Sequence, residues 1–145
     1  MSERIDIRPA TLADAKAITK LCYQLGYTSF EAAVEQRLKH IQQDKNHAIF
    51  VAESLNGIVA WIHIYICPHI QVDLPAEIGG LIVDENERGC GIGQRLMQHA
   101  QQWANEQGCK NILVRSNIAR QQAHDFYQKI GYSKIKTSLV FHKVL

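Results

Sequence analysis

Residues 88–94 carry the densest chemistry in the chain: Arg88, Gly89, Cys90, Gly91, Ile92, Gly93 and Gln94. They follow a strand-like run, Glu77 to Val83, and a polar turn of Asp84, Glu85, Asn86 and Glu87. A helical pattern from Gln94 to Ala104 opens directly out of this glycine-rich loop. Glycines at alternate positions leave a backbone with no Cβ to hold a ligand away. The first amides of the following helix lack intrahelical partners and carry the positive end of its dipole. Such a terminus is an anion site whose usual occupant is phosphate. Arg88 adds a fixed charge with fork-shaped donors. The plain alternative is a strand-to-helix turn with no ligand.

Two known phosphate loops fail the spacing test. A Walker loop ends in Gly-Lys-Ser/Thr, and here Gly93 is followed by Gln94 and Arg95. A dinucleotide fingerprint needs a third glycine three residues after the second, and Leu96 stands there. What remains is Arg-x-x-Gly-x-Gly after a strand.

The 145 residues predict one domain, 1–145, with room for a core. A net charge of +2, with no block of like charge, gives no nucleic-acid or membrane footprint. The start, Met1 to Asp6, has no apolar core and reads as no signal peptide. Cys22, Cys67, Cys90 and Cys109 are scattered, which predicts free thiols and a cytoplasmic setting. Neither they nor the seven histidines show metal-ligand spacing, so no metal is expected. Cys90 reads as a small residue tolerated between glycines, or as a reactive thiol near a helix terminus.

These residues need elements to position them. Arg4 to Arg8 reads as a short strand ended by Pro9. Ala15, Ile18, Leu21, Cys22 and Leu25 share a helix face. Thr11 with Asp14, and Thr28 with Glu31, read as capping boxes, and Gly26 as the first helix's stop. A second helix carries Ala33, Val34, Leu38 and Ile41. His47 to Ser54 is a strand, Asn56-Gly57 a hairpin turn, and Ile58 to Cys67 the return strand. Its near-continuous apolar run, broken at His63, predicts a central place in the sheet. After the loop helix come a strand at Asn111 to Arg115, a helix at Ile118 to Ile130 and a final strand or strands within Ser133 to Leu145. The order β-α-α-β-β-β-α-β-α-β predicts an α/β three-layer sandwich.

The loop resembles the pyrophosphate loop of the GNAT superfamily of acetyl-CoA-dependent N-acetyltransferases, Gln/Arg-x-x-Gly-x-Gly/Ala. A second block carries the same resemblance: Asn117, then Ala123-His124-Asp125-Phe126-Tyr127, then Gly131-Tyr132. The element order is also that of the family, so the likeness covers nearly the whole chain. It implies a mixed, mostly antiparallel sheet of six to seven strands with four helices, and acetyl-CoA as cosubstrate. It further implies that Arg88 to Gln94 hold pyrophosphate and that Asn117 contacts the pantetheine arm. Tyr127 would act as general acid on the sulfur of CoA; its plain alternative is a core aromatic beside Phe126. The tail departs from the family, since it has room for little more than one long strand or a tight pair.

The implied chemistry explains these residue types. An alkylamine with a pKa near 10 is protonated at neutral pH and must lose a proton before it attacks a thioester. The expelled thiolate is helped by a donor such as Tyr127, and the oxyanion by a backbone N–H. Leu81, Ile82 and Val83 can supply that N–H and pair with pantetheine amides as a pseudo-strand. The spacing of Glu77 to Arg88 resembles that of the general-base Glu in histone-type members of the family. A solvated Glu at a strand edge fits Glu77 equally. His63 is the rival base, read more readily as a buried, satisfied histidine. A catalytically silent CoA-binding sensor or interaction module on the same fold is the competing function; Tyr127 and Glu77 together favour the enzyme. The acceptor, a small-molecule or peptide amine, is walled by residues 25–30, 68–75 and the carboxy-terminal strand, and homodimerisation stays open.

Overall fold

The computed structural model describes residues 4–145, so Met1 to Glu3 lie outside the described residues. The chain forms two compact bodies, the first ending at Arg115 and the second running from Ser116 to Leu145.

The first body is built on a five-stranded sheet in the order β1-β2-β3-β4-β5. Its strands are β1 (Asp6–Pro9), β2 (His47–Ser54), β3 (Gly57–Ile66), β4 (Pro75–Val83) and β5 (Asn111–Val114). The first four pair antiparallel in sequence order, and β4 and β5 pair parallel. Helices α1 (Ala15–Cys22) and α2 (Glu31–Gln42) lie between β1 and β2, and α3 (Ile92–Glu106) makes the crossover that a parallel neighbour requires. β3 is central, as its continuous apolar run predicts. Alternation along β2 assigns the layers. Val51 packs with Ala15, Ile18, Val34 and Leu38 of α1 and α2, joined by Ile49 and Trp61. Phe50, on the opposite face, meets His99 of α3 edge-on. Leu96, Met97 and Ala100 bury the inner stripe of α3.

One part-buried ion pair ties the first strand to the first helix. The Arg8 guanidinium is bidentate to Asp14, at 2.8 and 2.9 Å. The same carboxylate accepts from the Thr11 amide at 2.8 Å, the reciprocal half of the predicted capping box. The second expected box is not formed: the residue capping α2 is Phe30, extended and without a side-chain cap bond. Gly26 closes the first helical segment with φ 88°, the left-handed conformation its type permits.

The second body holds α4 (Gln121–Lys129), shorter at its start than the sequence predicts because 118–120 form a turn. Gly131, with φ 102°, follows its end. Residues 133–145 form no strand, so the described residues hold five strands and not the expected six to seven. Ile135, Leu139, Val140, Phe141 and Val144 are all exposed. A strand exists only through its neighbour's hydrogen bonds, and these residues define no alternating apolar face to select one.

Candidate active site

β4 is where the sheet stops being regular. Tyr65 stands opposite Glu77 and Ile64 opposite Ile78, but His63 stands opposite Gly80. Gly79 is therefore an extra residue, a β-bulge. A Cβ on Gly79 would lie 2.8 Å from His63 Nδ1, and one on Gly80 2.7 Å from the Trp61 ring. The two glycines look onto the same row of rings, Trp61, His63 and Tyr65, and neither position has space for a side chain.

The bulge also marks where β5 departs. The parallel ladder runs from Pro75 opposite Asn111 to Ile78 opposite Val114 and ends there. From Gly79 to Val83 the outer edge of β4 has no ladder partner among the described residues. Unpaired strand edges bind extended chains through main-chain hydrogen bonds. Leu81 and Val83 are half-buried and Ile82 is buried, so the exposed edge is flanked by apolar side chains.

The edge leads into the glycine loop. Asp84 accepts from the Asn86 amide at 3.1 Å and starts the turn over residues 85–87. Arg88 Nε donates to the Val83 carbonyl at 3.1 Å, which fixes its stem and leaves the terminal nitrogens for other partners. Gly89 and Gly91 have φ 83° and 81°, where any L-residue is strained. A Cβ at either would meet nothing within 4 Å, so the conformation, and not crowding by the protein, demands glycine. Cys90 between them is exposed and Ile92 is buried beneath. α3 begins at Ile92, two residues before the sequence pattern places it, so Gly93 and Gln94 lie in its first turn. Gly91 is its cap, with no side-chain cap bond. The amides of this first turn therefore remain available.

Glu77 sits in a polar cluster on the α1–α2 face. Arg115 Nε donates to its Oε1 at 2.6 Å, and the Tyr65 hydroxyl donates to Oε2. Burial and the Glu77 carboxylate push the Tyr65 hydroxyl up to about 12. Next along β3, His63 Nε2 is 2.9 Å from His47 Nδ1 on β2, with the two rings stacked. Burial, reinforced by His47, lowers His63 to about 4, so it is neutral near pH 7. The sequence singled out Glu77 and His63, but the parts of Tyr65, His47 and Arg115 went unread. The signal available was polar residues at alternate strand positions, which exposes their shared face only once register is known.

Asn117 and Tyr127 belong to the second body. Asn117 Oδ1 accepts from the Ala119 amide at 2.9 Å, and its carbonyl lies 2.9 Å from His124 Nε2. It thereby shapes the turn before α4. Tyr127 is half-buried, meets Phe126 edge-on at 5.3 Å and lies 6.0 Å from the Tyr132 ring. Burial, with a smaller effect of Tyr132, raises its hydroxyl above the usual phenol value, so it carries its proton at neutral pH.

A strand edge opened at a bulge, running into a left-handed glycine loop at a helix start, defines the class of protein. The sequence model of the Acetyltransferase (GNAT) family matches residues 13–132, and the chain belongs to that family. It is an acetyl-CoA-dependent N-acetyltransferase with acetyl-CoA as cosubstrate. Among characterised relatives, an aminoglycoside N(6')-acetyltransferase type 1 from Stenotrophomonas maltophilia is 26% identical over 144 residues, 96% of this chain and 93% of that protein. Its counterpart from Serratia marcescens is 25% identical over 116 residues, 74% and 77% of the two chains. Aminoglycoside N-acetyltransferase AAC(6')-Iy in complex with CoA superposes with TM-score 0.88 at 18% identity, covering 99% of this chain and 97% of that one, a likeness of fold. Among the described residues no group of side chains could hold a metal ion, and no helix is long and apolar enough to cross a membrane.

Proposed function

We propose that the chain transfers the acetyl group of acetyl-CoA directly to a primary amine of a small-molecule or peptide acceptor. The observation that carries this reading is the unpaired edge of β4, continuous with the glycine loop at the start of α3. On this reading Leu81, Ile82 and Val83 pair with the pantetheine amides. Arg88, Gly89, Cys90, Gly91, Ile92, Gly93 and Gln94 surround the pyrophosphate, and Asn117 contacts the pantetheine arm. The amine nitrogen attacks the thioester carbonyl carbon, the oxyanion takes a backbone N–H of β4, and the C–S bond breaks. Tyr127 gives its proton to the departing thiolate; support comes from its motif and from a hydroxyl that burial keeps protonated. The amine's proton passes to the polar cluster beside the bulge, in which Glu77 and His63 are the candidate acceptors.

Tyr23, Tyr27 and Phe30 are exposed around the α1–α2 connection, as are Ile70, Val72 and Leu74 in the β3–β4 loop. The expected walls 25–30 and 68–75 contain one carboxylate, Asp73. Such walls have little to hold a polycation. The aminoglycosides named for the relatives belong in a panel beside amines with a single charge and an apolar body. The test is thermal: CoA raises the melting temperature by mass action, ATP and NAD at equal concentration do far less, and thioester cleavage then requires an amine from the panel. Equal shifts from all three nucleotides would overturn the assignment.

A further inference from the structure

Three groups form a line from the bulge to the surface. His63 Nδ1 faces Gly79, at the point where β4 loses its neighbour. Its other nitrogen, Nε2, is 2.9 Å from His47 Nδ1. His47 Nε2 is 3.6 Å from an Asp44 carboxylate oxygen, within electrostatic reach although longer than a hydrogen bond. His47 also lines an open groove of about 580 Å³ with Gln42, Phe50 and His99, so the far end of the line meets solvent.

The order of charges assigns the tautomers. A carboxylate beside His47 Nε2 favours the proton there. His47 Nδ1 is then an acceptor, His63 Nε2–H donates to it, and His63 Nδ1 presents a lone pair to the bulge. Among the described residues the hydrogen bond of the His63 ring is made through Nε2, and Nδ1 has no partner. Glu77, the other candidate, already accepts from Arg115 at Oε1 and from the Tyr65 hydroxyl at Oε2.

We propose that His63 is the base that takes the acceptor amine's proton, and that His47 and Asp44 relay the charge to solvent. The inference rests on the acetyltransferase reading above. As the N–C bond forms, the amine N–H proton moves to His63 Nδ1. The Nε2 proton moves to His47 Nδ1, and the His47 Nε2 proton leaves to Asp44 or water. The C–S electron pair departs with the thiolate, which is protonated separately. The relay matters because burial disfavours an imidazolium at His63. With the group near 4, the charged form is suppressed by about a thousandfold at pH 7. Passing the proton on leaves both imidazoles neutral. The ionisable groups against His63 are His47 on β2 and Tyr65 on β3; beyond them Asp44 stands by His47, Glu77 by Tyr65 and Arg115 by Glu77. Glu77 is a positioning residue here, fixing Tyr65 and Arg115 along the acceptor face.

The test uses the full chain, acetyl-CoA and the best acceptor from the amine panel in single turnover. His63→Gln is expected to lower the rate by roughly 10²-fold while CoA affinity by calorimetry is kept. His47→Gln keeps a hydrogen-bond partner for His63 but passes no proton. It should lower the rate less, and should change a curved dependence on the deuterium fraction of the solvent to a linear one. A merely structural role for His47 would not alter that curvature. Wild-type rates in His63→Gln, or an unchanged curve in His47→Gln, overturn the relay. A wild-type chain that binds CoA but acetylates no amine overturns the enzymatic reading and the relay with it.

Discussion

Gly91 separates two roles that a glycine loop combines. Its φ of 81° lies in the left-handed region, and a Cβ there would meet nothing within 4 Å. Gly91→Ala therefore introduces no clash, and its cost is backbone strain alone, about 1–2 kcal/mol. For a chain of this size that corresponds to a fall in melting temperature of roughly 3–8 °C. Gly91→Asn adds the same Cβ but tolerates the left-handed conformation, so its loss should be markedly smaller. Both variants fill the empty space over the loop that the pyrophosphate is proposed to occupy. Calorimetry should thus show weakened CoA binding in both, whatever their stability. If Gly91→Asn keeps CoA affinity along with stability while Gly91→Ala loses both, the loop acts by shaping the start of α3 and not by close approach. Unchanged affinity in both variants removes the loop from the site.

Tyr127→Phe keeps the ring against Phe126 and deletes only the donor. Stability should change by about 1 kcal/mol or less, CoA affinity should hold, and single-turnover rate should fall by roughly 10²-fold; a wild-type rate leaves Tyr127 as packing. Because folding depresses His63 from 6.5 to about 4, the unfolded chain binds the extra proton between those values. Stability from this group is complete above pH 6.5 and is lost as pH falls toward 4, so melting temperature should drop across that window in wild type and less in His63→Gln. The Asp14 carboxyl, lowered mainly by Arg8, adds stability above its ordinary value near 3.8 that disappears at more acidic pH. Asp14→Asn removes one of the two carboxylates on Arg8 while Glu53 stays within reach, and should destabilise by roughly 1–2 kcal/mol in denaturant titration.

Local conformation was legible in the chain; partnership across the sheet was not. The glycine loop, the Asn56-Gly57 hairpin, the left-handed stops at Gly26 and Gly131 and the buried stripe of α3 follow from backbone and period preferences that act over a few residues. The central position of β3 follows from an apolar run with no wet face. Tertiary structure decided the rest through register. It placed Tyr65 opposite Glu77, brought Arg115 to the same carboxylate across 38 positions, stacked His47 on His63 and left Gly79 unpaired as a bulge. It also left 133–145 without the strand their composition suggested. Each of these depends on which residue a neighbouring strand sets opposite, and a shift of one residue reverses the face of every side chain. The sequence therefore named Glu77 and His63 as chemical groups, while only the folded sheet determined which nitrogen, oxygen or guanidinium each of them meets.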